Sequence, residues 1–435
     1  MHAVFWIKFV LAGLSLLASI YLPFARGVFL ERPSPGLVIV GYYVIRLAVL
    51  AVFFLGLHFR YPGENTPAYL NYGNLVLHGY VPNRDFFVLY GILFSYLLGA
   101  ALLIWHHPFV LFILFQLTEF LAVYAIFTQR NAALPLRSFL SYAVNPVILV
   151  WMWLGLQNQA MCLVPIAVVF LVRSEMRRSI LFAFGFAVSK IFSLWTIIPA
   201  LGFQRMRSII FFGLVLALIY GPFFMVGSQG FSSKATEADG YLSDNSQGGG
   251  VESLIGLISS PTLQKEIAHL SLLGTAGALF LVVLAVMAIR WKMGTKRIAD
   301  EQSFEQKLVY TSILATLMML IYQAFSPYTA PDYLATVVAF SPMLIKSRFW
   351  SKLDQIIFAI VSYLQAVIYL LWFHFAEFGS QDVGRGGAFV AVLVLGNVFT
   401  VGFCLRCMWK AFIFFQKENL TEPGDFAQEA SYLSR

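Results

Sequence analysis

Residues 4–24 read VFWIKFVLAGLSLLASIYLPF, an apolar run of 21 residues that contains one charge, at Lys8. About 20 apolar residues in a helix cross the hydrocarbon core of a bilayer, so the run predicts a transmembrane helix. It is longer than the about 7–15 apolar residues of a signal peptide, and no clear cleavage site follows it. Comparable runs begin near residues 37, 86, 109, 138, 160, 179, 208, 268, 307, 333, 355 and 387. The sequence therefore predicts an all-α, polytopic membrane protein with about 11–13 transmembrane helices.

The composition of the whole chain agrees with this fold class. Of its 435 residues, 60% are hydrophobic, 17% are aromatic and only 11% are charged, and the mean hydropathy is +0.78. Soluble domains carry about 25% charged residues, which excludes a soluble globule, and the long apolar runs exclude disorder. The net charge of +8 is spread over short basic clusters between apolar runs, so we expect no nucleic-acid partner. The three cysteines lie within apolar runs, where packing is the expected role.

The positions of the basic clusters predict the topology, because such clusters mark the cytoplasmic side of a membrane protein. They leave two long loops, 58–85 and 228–267, for the opposite side. We therefore expect one transmembrane domain over 1–415 and a polar cytoplasmic tail over 416–435. The aromatic and leucine side chains of the first loop predict helices that lie on the extracytoplasmic membrane surface.

Two regions do not fit a simple alternation of sides. Basic clusters flank both ends of 179–204, which a re-entrant hairpin explains, with its turn at Lys190 and its return through Pro199. Such backbone at membrane depth is tolerated only where protein covers it or where it lines a watery cavity. Between Asp85 and Arg130 we count two apolar runs, whereas the charges require an odd number of crossings.

Three charges fall inside apolar runs, where each one needs a partner or a function. Arg46 fits snorkelling or an internal ion pair as well as it fits a functional role. Glu119 fits a buried partner of Arg46 better than a proton carrier of a transporter. Lys190 is expected to face a cavity at the turn of the hairpin, where it can bind a phosphate.

The loop 58–85 holds the residues that suit acid–base chemistry. Glu64 or Asp85 can take a proton from an attacking hydroxyl, and Arg84 suits a phosphate because it is always charged and bidentate. The alternative is a solvated loop with ordinary surface charges. No cluster of His, Asp and Glu has the spacing of metal ligands, so we expect no metal.

Four segments, in this order, resemble the GT-C glycosyltransferases, in particular their family 87 and GPI-mannosyltransferase-like members. Tyr69–Tyr96, YLNYGNLVLHGYVPNRDFFVLYGILFSY, resembles the first extracytoplasmic loop of these enzymes. Asn145–Ala160, NPVILVWMWLGLQNQA, is similar to their "NP…GQxD" segment. Ala187–Pro199, AVSKIFSLWTIIP, is similar to their lysine-containing hairpin, and Phe325–Pro342, FSPYTAPDYLATVVAFSP, to a late "SPxxxxQY" element. The family usually carries its catalytic Asp four residues before the loop tyrosine, where this chain has Asn65, and the last position of "GQxD" appears here as Gln159.

The resemblance implies a membrane glycosyltransferase that moves a mannose-like hexose from a polyprenyl-phosphate donor to an extracytoplasmic glycan or glycolipid, with inversion. No cofactor is required beyond the lipid-linked sugar donor, and the other expected partners are the acceptor and membrane lipids. The protein is then multi-pass in a bacterial inner or plasma membrane, or in the endoplasmic reticulum membrane, with its active side extracytoplasmic or lumenal. The expected site residues are Asp85 or Glu64 as base, Lys190 and Arg84 on the donor phosphate, and Asn65, Tyr69, Gln157, Asn158, Gln159, Asp332 and Tyr333 on the substrates.

Two alternatives belong to other functional classes. A transporter or lipid-linked-sugar flippase would use Arg46, Glu119 and Lys190 along an internal path. A non-catalytic scaffold subunit of GT-C type would explain the amides at positions 65 and 159.

Overall fold

The structure, a computed structural model, describes the greater part of the chain. The described residues are 2–25, 35–57, 65–86, 88, 90–128, 135–154, 158–223, 225, 261–297, 301–326, 330–377 and 387–418. Within these ranges the regular elements are helices, and extended backbone pairs only at two isolated points. The predicted all-helical class is therefore confirmed.

Fifteen helices are described, in chain order α1 to α15: His2–Tyr21, Gly36–Ala51, Asn65–Leu77, Phe94–Ile104, Phe109–Phe127, Pro135–Ala143, Leu163–Leu171, Glu175–Val188, Leu194–Gly202, Met206–Phe223, Pro261–Arg297, Glu301–Phe325, Leu334–Lys346, Lys352–Glu377 and Gly387–Glu418. π-helical turns extend α2 over Val52–Gly56 and follow α6 over Ile148–Trp153. Short 3₁₀ turns precede α7, α9 and α13 at Asn158–Cys162, Ile191–Ser193 and Pro331–Tyr333. Helix α11 begins at Pro261, and its apolar stretch of membrane-spanning length begins at His269, next to the expected end of the second loop at residue 267.

Seven helical stretches are long and apolar enough to cross a membrane. They are Gly36–Gly56, Phe109–Phe127, Met206–Phe223, His269–Ile289, Phe304–Phe325, Lys352–Leu371 and Val390–Gln416. A helix rises about 1.5 Å per residue, so about 20 residues match the bilayer core. The chain is thus a polytopic membrane protein, as its sequence predicts.

The structure corrects the span expected near residue 86. The rings of Phe54, at the end of α2, and Phe112, at the start of α5, lie 5.1 Å apart, so these two ends are at the same side of the molecule. Helices α3 and α4 between them pack on each other, and Phe94 of α4 stacks on Phe115 of α5. With 11 residues α4 is about 16 Å long, too short to cross. Only α5 then crosses between Asp85 and Arg130, which gives the odd number that the charges require.

The predicted hairpin over 179–204 is confirmed. Helix α8 stops at Val188, the chain turns through Ser189 and Lys190, and α9 returns to Gly202. Its base is closed by two hydrogen bonds, since Ser179 Oγ donates to the Ser208 carbonyl at 2.8 Å and the Arg205 N–H donates to Glu175 Oε2 at 3.0 Å. Helices of 14 and 9 residues are too short to cross singly, so the segment enters and leaves on one side.

The basic clusters meet at one end of the bundle, which we name the basic end. There the guanidinium of Arg178 lies over the Phe304 ring, Lys307 lies 3.6 Å from Glu175, and Lys346 pairs with Glu305. The tip of the hairpin lies at the opposite end, which we name the site end. The N-terminal residues of α8 and the C-terminal residues of α13 thus share a side, as the charge pattern predicts.

Candidate functional site

Lys190 lies at the tip of the hairpin, between two tyrosines from distant parts of the chain. Its Nζ is 5.6 Å from the ring centroid of Tyr90 and 5.3 Å from that of Tyr333. Ring faces attract an ammonium group by about 0.5–2 kcal/mol, depending on desolvation. The half-buried lysine is therefore held at the site end, where its charge can meet an anion.

Backbone pairing fixes the loop that carries Tyr90 to the hairpin tip. The Gly91 N–H donates to the Ser189 carbonyl at 2.7 Å, and the Leu93 N–H donates to the Ala187 carbonyl at 2.8 Å. The two chains approach so closely that a Cβ on Gly91 would lie 2.3 Å from the Ala187 oxygen. Glycine is thus required at position 91 for the loop to reach Lys190.

Aromatic side chains wall the site on both sides of Lys190. On one side Tyr90 packs against Tyr69 and Phe94, with ring centroids 5.8 and 4.7 Å apart. On the other side Phe192 packs against Tyr333 at 4.1 Å and against Tyr322 at 4.9 Å. A cation between aromatic walls suits a ligand with an anionic group joined to an apolar or ring-shaped body.

Arg84 and Asp85 lie in the exposed turn that precedes the loop of Tyr90, and they bind each other. The Asp85 carboxylate accepts hydrogen bonds from Arg84 Nε at 2.8 Å and Nη2 at 2.6 Å, and from the Val81 N–H at 2.7 Å. These bonds, first the one from Arg84, lower the pKa of Asp85 below its ordinary value. A carboxylate held in this way is a weaker base than a free one.

The structure brings together three of the expected site residues, Tyr69, Lys190 and Tyr333. The ring of Tyr90 joins Tyr69 to Lys190, and Tyr333 contacts Lys190 directly. Gln159 is fully buried on the 3₁₀ turn before α7, and this turn packs against α5 and α8. Its amide has no hydrogen-bond partner among the described residues. The structure does not describe the remaining expected positions. Glu64 and Gln157 lie outside the described residues altogether, as do the side chains of Asn65, Asn158 and Asp332.

Sequence reasoning missed three residues that shape the site. Tyr90, Phe192 and Tyr322 complete the walls around Lys190 and were not singled out. Phe192 lies two residues after Lys190, which could have pointed to it, whereas Tyr90 lies in another of the four segments, 100 residues from Lys190. Tyr322 lies in an apolar helix pattern that carries no such signal.

Arg46 and Glu119 form a closed ion pair away from this site. Arg46 donates to both carboxylate oxygens of Glu119, at 2.8 and 3.1 Å, and Tyr43 and Tyr142 each donate to Oε1 at 2.9 Å. Both charged side chains are buried, with exposed fractions of 1% and 0%. The interpretation of Glu119 as the buried partner of Arg46 is therefore confirmed.

The three cysteines are also buried, as their apolar surroundings predict.

Comparisons with known proteins identify no family for this chain. No known protein family, curated protein or solved structure matches this chain. Within the described residues no group of three or more His, Cys, Asp or Glu side chains is placed to hold a metal ion. No comparison identifies the chain as a GT-C glycosyltransferase, so that resemblance rests on the four sequence segments alone.

Proposed function

We propose that this chain is a GT-C-type membrane glycosyltransferase that moves a mannose-like hexose from a polyprenyl phosphate to an extracytoplasmic glycan or glycolipid. One observation carries the proposal. Tyr90, Lys190 and Tyr333 come from three of the four GT-C-like segments, more than 90 residues apart in sequence, and they meet at one point. The fourth segment contributes the turn of Gln159, which packs against α8 of the hairpin.

The topology supports the same proposal. The seven helical stretches of membrane-spanning length agree with the multi-pass topology that such an enzyme needs. The positive-inside rule puts the basic end in the cytoplasm, so that Lys190 faces the extracytoplasmic or lumenal side. Lipid-linked sugars whose sugar lies on that side would reach Lys190 from the membrane.

The chemistry assigned to the site is a single displacement. An acceptor hydroxyl oxygen attacks the anomeric carbon, the bond from that carbon to the phosphate oxygen breaks, and the electron pair leaves with the lipid phosphate. Lys190 stabilises the charge on the leaving phosphate, and a carboxylate takes the hydroxyl proton. Attack from the face opposite the phosphate inverts the anomeric configuration.

Asp85 and Glu64 remain the candidates for the base. Asp85 is bound to Arg84, so it becomes a better base when Arg84 leaves it. An incoming phosphate competes for the same guanidinium, because both anions accept its paired N–H groups. In this mechanism donor binding takes Arg84 from Asp85 and so prepares the base.

Neither alternative function gains support of its own from the structure. The transporter reading needs Arg46 and Glu119 along an internal path, yet these two bind each other and two tyrosines. The hypothesis of a non-catalytic scaffold still rests on the amides Asn65 and Gln159, and the second test below distinguishes it from a catalytic function.

The first test is Lys190→Ala in the purified full chain, with polyprenyl-phosphate-mannose as the donor probe. Loss of one contact between charged groups, about 1.5–3 kcal/mol, predicts about 10–150-fold weaker donor binding with an unchanged fold. Lys190→Arg should recover part of the affinity, since the planar guanidinium differs from a point charge. The control is Lys8→Ala, because Lys8 Nζ also lies 5.6 Å from an aromatic ring, that of Trp151. Undiminished transfer in Lys190→Ala would refute the assigned role.

The second test compares Asp85→Asn with Glu64→Gln for sugar transfer. Loss of transfer in one variant identifies the base, and full activity in both overturns the mechanism. A native chain that transfers nothing but supports assembly of a partner complex would make it a scaffold.

A further inference from the structure

Two aromatic side chains of the first long loop form a half-exposed surface that plays no part in the mechanism above. The rings of Tyr72, in α3, and Phe86 stack with centroids 5.9 Å apart and an angle of 22° between their planes. Both side chains are half-buried, so part of each ring remains open to a ligand. We name this pair the aromatic platform. Tyr72 also contacts the ring of Tyr90 at 6.2 Å, and Tyr90 contacts Lys190, so the platform is continuous with the candidate site.

The turn that carries Phe86 is held by its own hydrogen bonds. The Asn83 N–H donates to the Phe86 carbonyl at 2.8 Å, and the Val88 N–H donates to Asn83 Oδ1 at 3.1 Å. Asn83 has a φ of 60°, in the left-handed region, which asparagine tolerates better than most residues. Arg84 and Asp85 lie within this turn, directly before Phe86. The backbone of the turn therefore holds Phe86 in a fixed position relative to both, which reduces the cost of ordering them around a ligand.

The pair of Arg84 and Asp85 offers hydrogen bonds beside the platform without a net charge. Arg84 donates to Asp85 from Nε and Nη2, and the N–H groups on its Nη1 have no acceptor among the described residues. Asp85 Oδ1 accepts the bond from Arg84 Nε, and a carboxylate oxygen has a second lone pair that can accept another. Since the two charges cancel until a donor phosphate binds, the exposed pair favours a neutral ligand with neighbouring hydroxyl groups over a free anion or cation.

We propose that the aromatic platform binds a hexose ring of the acceptor glycan, whose hydroxyl groups bond to Arg84 and Asp85. The inference rests on the proposed function and gives its acceptor a place. The C–H groups on one face of a pyranose ring carry small positive partial charges and pack on the negative face of an aromatic ring, as the edge of another aromatic ring does. An acceptor in this position brings a hydroxyl to Asp85, a candidate base, while Tyr90 joins the platform to the lysine of the donor site.

The test measures binding of an α-linked mannobiose to the full chain in nanodiscs of phosphatidylcholine, in the absence of a donor. Saturation-transfer NMR gives the affinity by titration and identifies the sugar protons that lie nearest to the protein. We expect the strongest saturation on the C–H protons of one ring face. Phe86→Leu and Tyr72→Leu keep an apolar side chain but remove a ring, so each should weaken binding about two- to tenfold, whereas Phe86→Trp should retain it.

Two control variants separate the platform from general effects and from the donor site. Tyr80→Leu removes an exposed ring of the same loop outside the platform, and Lys190→Ala alters the donor site. Both should bind mannobiose as the native chain does. A native chain that does not bind mannobiose, or equal losses in Tyr80→Leu and Phe86→Leu, would overturn the proposal.

The remaining outcomes are also decisive. Unchanged binding in Phe86→Leu would overturn the proposal and assign the rings to the membrane interface, where aromatic side chains are common. Mannobiose binding by a chain that transfers no sugar would support the platform and refute the proposed transfer, and transfer without mannobiose binding would do the reverse. Because Phe86 lies in an exposed turn, its variants test the platform even if Tyr72→Leu does not fold.

Discussion

Replacing Glu119 by glutamine tests the buried ion pair between Arg46 and Glu119. The substitution keeps the shape of the side chain and leaves the Arg46 guanidinium as a charge without its counter-ion. Both side chains are buried near the middle of their helices, so no water replaces the lost partner. Removal of one member of a buried ion pair destabilises by about 3–5 kcal/mol, and we expect this range for Glu119→Gln and for Arg46→Gln.

The double variant is the decisive measurement. Arg46→Gln with Glu119→Gln removes both charges, and the new amide oxygen at position 119 can still accept the hydrogen bonds of Tyr43 and Tyr142. We therefore expect a loss of only about 1–2 kcal/mol, far below the sum of the single variants. Reversible unfolding in mixed detergent micelles gives the free energies, and Glu175→Gln at the half-exposed basic end is the control. Additive losses would show that the pair does not couple, and the reasoning would fail.

Three further predictions concern the site end and the topology. Gly91→Ala should destabilise the chain by about 1–3 kcal/mol and weaken donor binding, because the new Cβ would lie 2.3 Å from a backbone oxygen. The control Gly41→Ala should change neither stability nor donor binding, since the space around Gly41 is open. Hydrogen bonding lowers the pKa of Asp85, so its turn should keep its bonds above about pH 4 and lose them as the pH falls through the lowered pKa. The chemical shift of the amide that donates to this carboxylate reports the change, and a midpoint at or above about pH 4, where a free aspartate titrates, contradicts it. His78→Cys and Arg177→Cys should be labelled from opposite sides of the membrane, since the native cysteines are buried, and labelling from one side refutes the topology.

The sequence was sufficient for the features that follow from local composition and charge. The apolar runs predict the helices, and the conflict between the clusters at 173–178 and 205–207 predicts the hairpin with Lys190 at its turn. Burial of Arg46 against Glu119 follows from the high free energy of an unpaired charge in a membrane. Each of these inferences depends on a physical rule that acts along one or two segments.

The remaining features depend on contacts between distant segments. Hydropathy predicts that α4 crosses the membrane, because it counts apolar residues and not their contacts. In the structure, Phe94, Ser95 and Leu98 of α4 are instead covered by neighbouring helices. The approach of Tyr90 to Lys190 joins residues that are 100 positions apart. A local pattern holds no information about that pairing, so the walls of the site appear only in three dimensions. The choice of base between Asp85 and Glu64 stays a prediction.

The backbone pairing between the loop and the hairpin tip has a mechanical consequence. Two hydrogen bonds and a glycine in close contact join the loop of Tyr90 to Ser189, so the loop and the tip must move as one rigid unit. Tyr333 contacts Lys190 and Phe192 of the hairpin through its ring, from the 3₁₀ turn before α13. A displacement of the lysine therefore carries Tyr90 with it through the backbone, whereas side-chain packing alone couples it to Tyr333 in the contacts given above.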